Sequence, residues 1–166
     1  MSIVFDNVSK KYGSDYVALE NVSFLISPNE FVSIVGPSGA GKTTLLKMIL
    51  AEERPTEGKV FFQDTDIHSL SGEKINLVRR KIGTVFQDFR LLPQKNVFEN
   101  IAFAMEAAGR SDEEIESDVP HVLDLVDLGS KIWNFPNELS GGEKQRVAIA
   151  RAIVNQPDII IADEPT

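Results

Sequence analysis

A glycine-rich segment with one lysine and two threonines follows the apolar run 31–35 in this sequence. The segment reads Gly36-Pro37-Ser38-Gly39-Ala40-Gly41-Lys42-Thr43-Thr44. Glycines let consecutive N–H groups turn inward around an anion, and a helix beginning near Lys42 adds free N–H groups and a positive dipole end. Because the segment joins an apolar strand-like run to a helix-like run, it predicts a loop that binds the phosphates of a nucleoside triphosphate.

Three side chains of this loop have distinct predicted roles. Lys42 reaches the β and γ phosphate oxygens as a mobile positive charge. The Thr43 hydroxyl is placed to bind Mg²⁺, which prefers oxygen ligands and keeps several waters. Thr44 is placed to hold an inner phosphate. The loop therefore predicts a magnesium–nucleotide ligand.

Two carboxylates, Asp163 and Glu164, follow the apolar run 159–162. A carboxylate at the C-terminal end of a buried strand is the expected partner of the Mg²⁺ beside a phosphate loop. We therefore assign Asp163 to the metal and Glu164 to polarising the attacking water, a role that needs an ionised carboxylate near the γ-phosphate. An isolated pair of this kind would be a solvated turn, and the loop upstream favours the catalytic interpretation.

Apolar periodicity places strands and helices around these groups. Strands are predicted at 3–8, 17–26, 31–35, 58–62, 82–86 and 158–163, and helices at 43–51, 74–80, 97–108, 112–127 and 141–155. Asn96, Ser111 and Ser140 each precede a glutamate by three residues, the pattern of a capping box. Pro120 leaves two alternatives open: it kinks one helix, or it lies in the first turn of a second helix.

The order of these elements predicts an α/β nucleotide-binding core that carries a helical insertion of about 50 residues. The 166 residues contain no cysteine, which excludes disulfides and thiolate metal sites. A net charge of −8 argues against general nucleic-acid binding. No apolar run approaches the length of about 18 residues that spans a bilayer, so we expect any membrane role to depend on a partner.

A second glycine-rich segment supplies the most specific pattern, Leu139-Ser140-Gly141-Gly142-Glu143-Lys144-Gln145-Arg146-Val147. Its hydroxyl and glycine N–H groups at the start of a helix form another anion-binding site. The segment resembles the signature of ATP-binding-cassette (ABC) ATPases. The resemblance implies ATP hydrolysis by a head-to-tail homodimer that closes on ATP. Ser140, Gly141 and Gly142 of one subunit then bind the γ-phosphate held by the other.

The same resemblance gives roles to two further residues. Tyr12, in Lys10-Lys11-Tyr12-Gly13, lies where the family stacks an aromatic ring on adenine. Gln87, which ends Gly83-Thr84-Val85-Phe86-Gln87, lies at the family's Q-loop glutamine. It is implied to contact Mg²⁺ or water and to take part in catalysis. A DNA-repair or chromosome-organising ABC ATPase is disfavoured, because neither heptads nor cysteines lie between Gln87 and Ser140.

Segments 86–93 and 96–102 resemble, within this family, the ATPases of bacterial cell division. That resemblance implies a polytopic membrane subunit as partner and a cytoplasmic location at the inner face of the membrane. Lipoprotein-releasing and macrolide-export ATPases remain the alternative, and a truncated, nonhydrolysing ATP-binding module is a second one. Apolar contacts to a partner helix are predicted at Leu91, Leu92, Phe98 and Met105, although Phe98 and Met105 equally suit the interior of the helical subdomain.

The resemblance predicts one incomplete ABC nucleotide-binding domain over 1–166. Its β core is 1–87 and 156–166, with an N-terminal antiparallel region. The helical subdomain covers about 88–140, and the signature helix is 141–155. Family members continue beyond Glu164, so a strand between the runs 31–35 and 158–163 is expected to be missing from the sheet. The expected consequence is slow or absent turnover by these residues alone. His68 and His121 match no switch histidine and are expected at the surface.

Overall fold

The computed structural model describes residues 2–13 and 15–163. Six strands run in the order β1 (Ile3–Tyr12), β2 (Tyr16–Ile26), β3 (Glu57–Phe62), β4 (Thr65–Asp66), β5 (Ile82–Val85) and β6 (Ile159–Ala162). The α-helices are α1 (Lys42–Ile49), α2 (Glu73–Arg80), α3 (Val97–Ala108), α4 (Asp112–Leu125) and α5 (Gly141–Ile153). Short 3₁₀ helices cover Ile67–Ser69, Gly129–Lys131 and Pro136–Glu138. The chain divides into two compact units, Met1–Arg79 and Arg80–Thr166.

The first unit contains an antiparallel sheet with strand order β2-β1-β3-β4. Ile3 and Phe5 of β1 are buried on one face, and Val8 returns to the interior after a register shift. Asn7, at that shift, has a left-handed φ of 48°, which a short polar side chain tolerates. Met48 and Ile49 of α1 are buried in the same unit. The predicted antiparallel β region at the N-terminus is therefore present.

The run 31–35 is not a strand, which corrects the prediction for this segment. Among the described residues it has no strand assignment and no backbone hydrogen-bond partner. Its apolar side chains are exposed, with Phe31 at 96% and Val35 at 86%. Strand-forming composition is a preference for a paired, half-buried position, and pairing requires a second backbone. In the structure as described, no backbone pairs with this run.

The second unit contains the parallel pair β5–β6 and the helices α3, α4 and α5. Ile161 of β6 is buried but Ile160 is 57% exposed, so the buried strand expected before Asp163 is buried on one face only. Within the described residues β6 pairs with β5 alone. A strand with one neighbour and one covered face buries alternate residues.

The helical part of the second unit has a continuous apolar interior. Side chains of α3, α4 and α5 form it, including Ile101, Val119 and Val147. Asn96, Ser111 and Ser140 each form the predicted capping box with the glutamate three residues later. Pro120 lies inside α4, which is a single helix. The alternative of a second helix with Pro120 in its first turn is therefore wrong. Local hydrogen-bonding chemistry thus fixed where these helices begin.

Two further expectations about exposure need correction. Met105 is fully buried among the helices, so it is unable to contact a partner. His121 is exposed as expected, whereas His68 is half-buried and its Nε2 atom has no hydrogen-bond partner among the described residues. Burial lowers the pKa of the His68 imidazole from 6.5, because desolvation penalises the charged form.

Asn100 fixes the segment that leads into α3. Its side chain is fully buried; its Oδ1 accepts from the Leu92 N–H at 2.7 Å, and its Nδ2 donates to the carbonyls of Leu92, Lys95 and Asn96 at 2.8 to 3.1 Å. We expect Asn100→Ala to lower the free energy of unfolding by about 2–4 kcal/mol, because it leaves several of these groups unsatisfied. Urea unfolding measures the change.

The exposed Asn137 provides the matched control for that prediction. We expect Asn137→Ala to change stability by less than about 0.5 kcal/mol, as for most surface substitutions. Equal urea midpoints for the two variants would show that the amide network of Asn100 contributes nothing.

Candidate functional site

The predicted phosphate loop leads directly into α1 in the first unit. Gly41 caps the helix with a φ of 87°, and Lys42 is its first residue. The Lys42 ammonium donates to the carbonyls of Gly36 at 2.8 Å and Pro37 at 3.1 Å, so the loop closes around its own cation. The helix N-terminus and the ammonium together make the loop electropositive. Ser38, Gly39, Ala40 and Thr43 are exposed, and Thr44 is half-buried.

Gly41 is required where the loop meets β2. A Cβ atom at this position would lie 2.6 Å from the Ala18 carbonyl oxygen and 2.8 Å from Leu19 Cδ2. The left-handed φ excludes most L side chains as well. The glycine therefore lets the loop pack directly on the backbone of the sheet.

Tyr12, the predicted adenine-stacking residue, has an aromatic neighbour that sequence reasoning did not identify. Tyr12 and Tyr16 are paired across the β1–β2 hairpin, with ring centroids 6.2 Å apart. The Tyr16 hydroxyl donates to the Gly39 carbonyl at 3.3 Å, and Lys10 Nζ lies 4.9 Å from the Tyr12 ring centroid. The hairpin thus connects the aromatic pair to the phosphate loop. An aromatic residue on each side of Gly13 was the signal available in the sequence.

In the second unit, Gln87 and Asp163 line one pocket of about 390 Å³. Its other lining residues are Phe86, Asp88 and Arg90. The Asp163 N–H donates to the Val85 carbonyl at 2.9 Å, which continues the parallel pairing of β5 and β6. The ends of two adjacent parallel strands therefore bring two of the three predicted metal residues to the same place, whereas Thr43 belongs to the first unit.

The oxygen donors of this pocket suit Mg²⁺. Among the described residues, no group of three or more His, Cys, Asp or Glu side chains is arranged to hold a metal ion. Mg²⁺ is usually bound through one or two carboxylates together with water and substrate phosphates, so a dedicated protein cage is not needed. Glu164, the predicted catalytic carboxylate, lies outside the described residues.

The signature segment begins α5 and is open to solvent. The Ser140 N–H and hydroxyl both donate to the Glu143 carboxylate at 2.8 Å, and these bonds hold the pKa of that carboxyl below its usual value. Gly141 and Gly142 are exposed, and a Cβ added at either would meet no atom within 4 Å. The helix start thus presents its N–H groups to an accessible space.

The predicted site residues fall into three groups in the structure. Tyr12 and the loop 36–44 lie in the first unit, whereas Gln87 and Asp163 share a pocket in the second. The signature residues 140–142 form the third group at the start of α5. Of the predicted partner contacts, Leu91 and Leu92 are half-buried, and Phe98 packs against Trp133 with ring centroids 5.4 Å apart.

Known proteins resemble the chain over nearly its whole length. The profile of the family described as ABC transporter matches residues 19–166. The cell division ATP-binding protein FtsE of Bacillus subtilis is 53% identical over 99% of this chain and 72% of that protein. FtsE of Escherichia coli strain K12 is 47% identical over 99% of this chain and 74% of that protein.

A solved structure shows the same fold. It is the dimer of the ATP-binding cassette MJ0796 in a post-hydrolysis state, bound to ADP and Pi. The TM-score is 0.89 at 40% identity, and the match covers 99% of this chain and 74% of that one. The expected fold class, an α/β cassette with an N-terminal antiparallel region and a helical insertion, is confirmed.

Proposed function

The chain belongs to the ABC transporter family, and from this premise we propose that it is the ATP-hydrolysing subunit of a membrane complex that acts in bacterial cell division. The observation that carries the assignment is the 53% identity over 99% of the chain to a cell-division ATP-binding protein. The match covers 99% of the chain, so it spans both glycine-rich segments. These relatives do not favour the lipoprotein-releasing and macrolide-export alternatives.

ATP binding is proposed to rest on the first unit. The N–H groups of Gly39, Ala40 and Gly41 and the Lys42 ammonium would hold the phosphates. Tyr12 would stack on adenine, and the contact of Tyr16 with Gly39 would keep the hairpin and the loop together.

Hydrolysis is proposed to use Thr43, Gln87, Asp163 and Glu164. The first three would hold Mg²⁺, which when bound neutralises charge on the phosphate oxygens. Gln87 would also orient water, and Glu164 would polarise the attacking water as a general base. The shared pocket of Gln87 and Asp163 supports this grouping within the second unit.

Head-to-tail dimerisation is proposed to complete the site. Ser140, Gly141 and Gly142 would bind the γ-phosphate held by a second copy of the chain. Their exposure and the open space around both glycines leave room for that phosphate. The MJ0796 cassette was solved as a dimer, which supports the same assembly here.

The proposed membrane partner is a polytopic subunit resembling FtsX. In the described part of the chain no helix has the length and apolar character to cross a bilayer. A place at the inner face of the cell membrane would therefore come from that partner. The segment after Gln87, with the half-buried Leu91 and Leu92, is the proposed contact for a partner helix.

Co-purification tests the cell-division assignment. The tagged chain is extracted from its own cells with detergent, and the retained membrane subunits are identified by mass spectrometry. Recovery of an FtsX-like subunit supports the proposal. Recovery of an exporter or lipoprotein-releasing subunit in its place would overturn it.

Two serine variants test the proposed role of the signature in trans. Ser140 and Ser111 both cap helices through complete capping boxes, so each change to alanine costs the fold about 1 kcal/mol. We expect Ser140→Ala to lower ATP turnover by about tenfold or more, because one hydrogen bond to the charged γ-phosphate is lost. Ser111→Ala should leave turnover within about twofold, so equal turnover in the two variants would argue against the signature role.

A further inference from the structure

Arg151, in the last turn of α5, reaches across to the turn that follows β5. Its Nη1 atom donates to the Arg90 carbonyl at 2.7 Å, and its Nη2 atom donates to the Phe89 carbonyl at 2.6 Å. Short bonds from a charged donor are the strong class of hydrogen bond. One guanidinium therefore holds two consecutive carbonyls of the loop that contains Gln87.

The two residues held by Arg151 have an unfavourable backbone conformation. Phe89 has a φ of 58° and Arg90 a φ of 45°, so two consecutive residues other than glycine are left-handed. Each such residue is strained and persists only where surrounding contacts impose the conformation. The turn therefore depends on external support to keep this shape.

Other contacts in the second unit fasten the same turn. The Phe89 N–H donates to the Phe86 carbonyl at 3.0 Å, and the Phe89 side chain packs with Ala148 and Ala152 of α5. The Arg90 guanidinium lies 3.8 Å from the centroid of the Phe86 ring. The backbone path of the turn thus sets the positions of Phe86 and Arg90, whose side chains line the pocket together with Gln87.

The end of α5 that carries Arg151 is itself held in place. A Cβ at Gly83 would lie 2.4 Å from the Ala152 carbonyl oxygen, so α5 packs against the backbone of β5 without an intervening side chain. Arg151 immediately precedes Ala152 in this contact. Its guanidinium is therefore attached to a helix end that has little freedom relative to the strand leading to Gln87.

We propose that Arg151 is a positioning residue that holds the turn after β5 so that Gln87 faces the pocket it shares with Asp163. Because the same helix begins at Ser140, Arg151 also links the signature segment to that turn. The catalytic consequence rests on the proposed function, since it assumes that Gln87 acts in ATP hydrolysis.

Lysine is unable to replace arginine in this contact. The planar guanidinium presents several N–H groups in a fixed fork, which matches two adjacent carbonyls, whereas an ammonium is a single point of charge. Burial lowers the pKa of Arg151, and the guanidinium nevertheless stays protonated over the physiological range. The contact is therefore independent of pH in that range.

Hydrogen exchange tests the contact of Arg151 with the carbonyls of Phe89 and Arg90, which we call the clamp, without any assay of activity. We expect the amides of Phe89 and Arg90, which are hydrogen-bonded within the turn, to exchange about tenfold faster or more in Arg151→Ala and in Arg151→Lys than in the wild type. Arg110→Ala is the matched control, because Arg110, in the connection between α3 and α4, forms an exposed ion pair with Glu114 of α4 at 2.7 Å. Unchanged exchange at these two amides in both Arg151 variants would overturn the clamp.

ATP turnover tests whether the clamp acts through Gln87. We expect Arg151→Ala to lower kcat about tenfold with little change in KM, because the phosphate loop is untouched. In a Gln87→Ala background the same change should have almost no further effect. If the reductions in kcat by Arg151→Ala and Gln87→Ala multiply in the double variant, the two residues act independently and the positioning role is wrong. A wild-type chain that binds no Mg-ATP would count against the proposed function, and the exchange experiment would still decide the clamp.

Discussion

Replacing Lys42 with alanine is expected to weaken ATP binding by about 100-fold. The Lys42 ammonium lies over the loop and contacts the carbonyls of Gly36 and Pro37. Its removal takes away both the cation that meets the phosphates and the contact that closes the loop. A hydrogen bond to a charged group is worth about 1.5–3 kcal/mol, which corresponds to roughly 10- to 150-fold in affinity. Isothermal titration with Mg-ATP measures the loss.

Lys47→Ala separates this effect from general loss of positive charge. Lys47 lies on the same helix, in its last turn, where the helix dipole favours a cation. We expect this variant to bind ATP with wild-type affinity. The thermal midpoint with ligand should rise in the wild type and in Lys47→Ala, and should stay constant in Lys42→Ala. Wild-type affinity in Lys42→Ala would contradict the phosphate-loop assignment.

Replacing Asp163 with asparagine is expected to lower ATP turnover by about 100-fold while ATP remains bound. The substitution keeps the shape of the side chain and removes its negative charge. Asp163 is half-buried beside Gln87, where a carboxylate would be a ligand for Mg²⁺. Because the lost interaction is with the metal, the Mg²⁺ concentration for half-maximal turnover should rise. Steady-state turnover at a series of Mg²⁺ concentrations checks both expectations.

Asp158→Asn is the matched control for that experiment. Asp158 directly precedes β6 and lies 3.8 Å from Lys81 in an exposed ion pair. An exposed pair contributes about 0–1 kcal/mol, so we expect turnover and Mg²⁺ dependence close to those of the wild type. If both variants show the same dependence on Mg²⁺ as the wild type, Asp163 is not a metal ligand.

Local sequence patterns predicted most of the helices in this chain. The helix α3 occupies 97–108 as predicted, and α5 begins at Gly141 as its capping serine indicates. The reason is physical: a helix satisfies its own hydrogen bonds, and the capping groups of Asn96, Ser111 and Ser140 are neighbours in sequence. The two glycine-rich segments were recognisable for the same reason, since a phosphate loop is a contiguous stretch of chain.

Other features of the structure depend on tertiary contacts, which a contiguous sequence pattern does not specify. The apolar composition of 31–35 predicted a strand, but a strand also needs a paired backbone, and no described residue supplies one. Whether Met105 faces a partner or the interior depended on how three helices pack.

Sequence alone therefore predicted the chemistry of this protein: the phosphate loop, the signature and the carboxylates at 163 and 164 were identifiable by type and spacing. The structure alone showed that Gln87 and Asp163 share one pocket, that Tyr16 contacts the loop, and that Arg151 supports a strained turn 61 residues away at Arg90. The physical reason is how far apart in sequence the interacting residues lie. Residue type and local spacing set hydrogen bonding within one turn or helix, whereas contacts between distant segments exist only after those segments have packed.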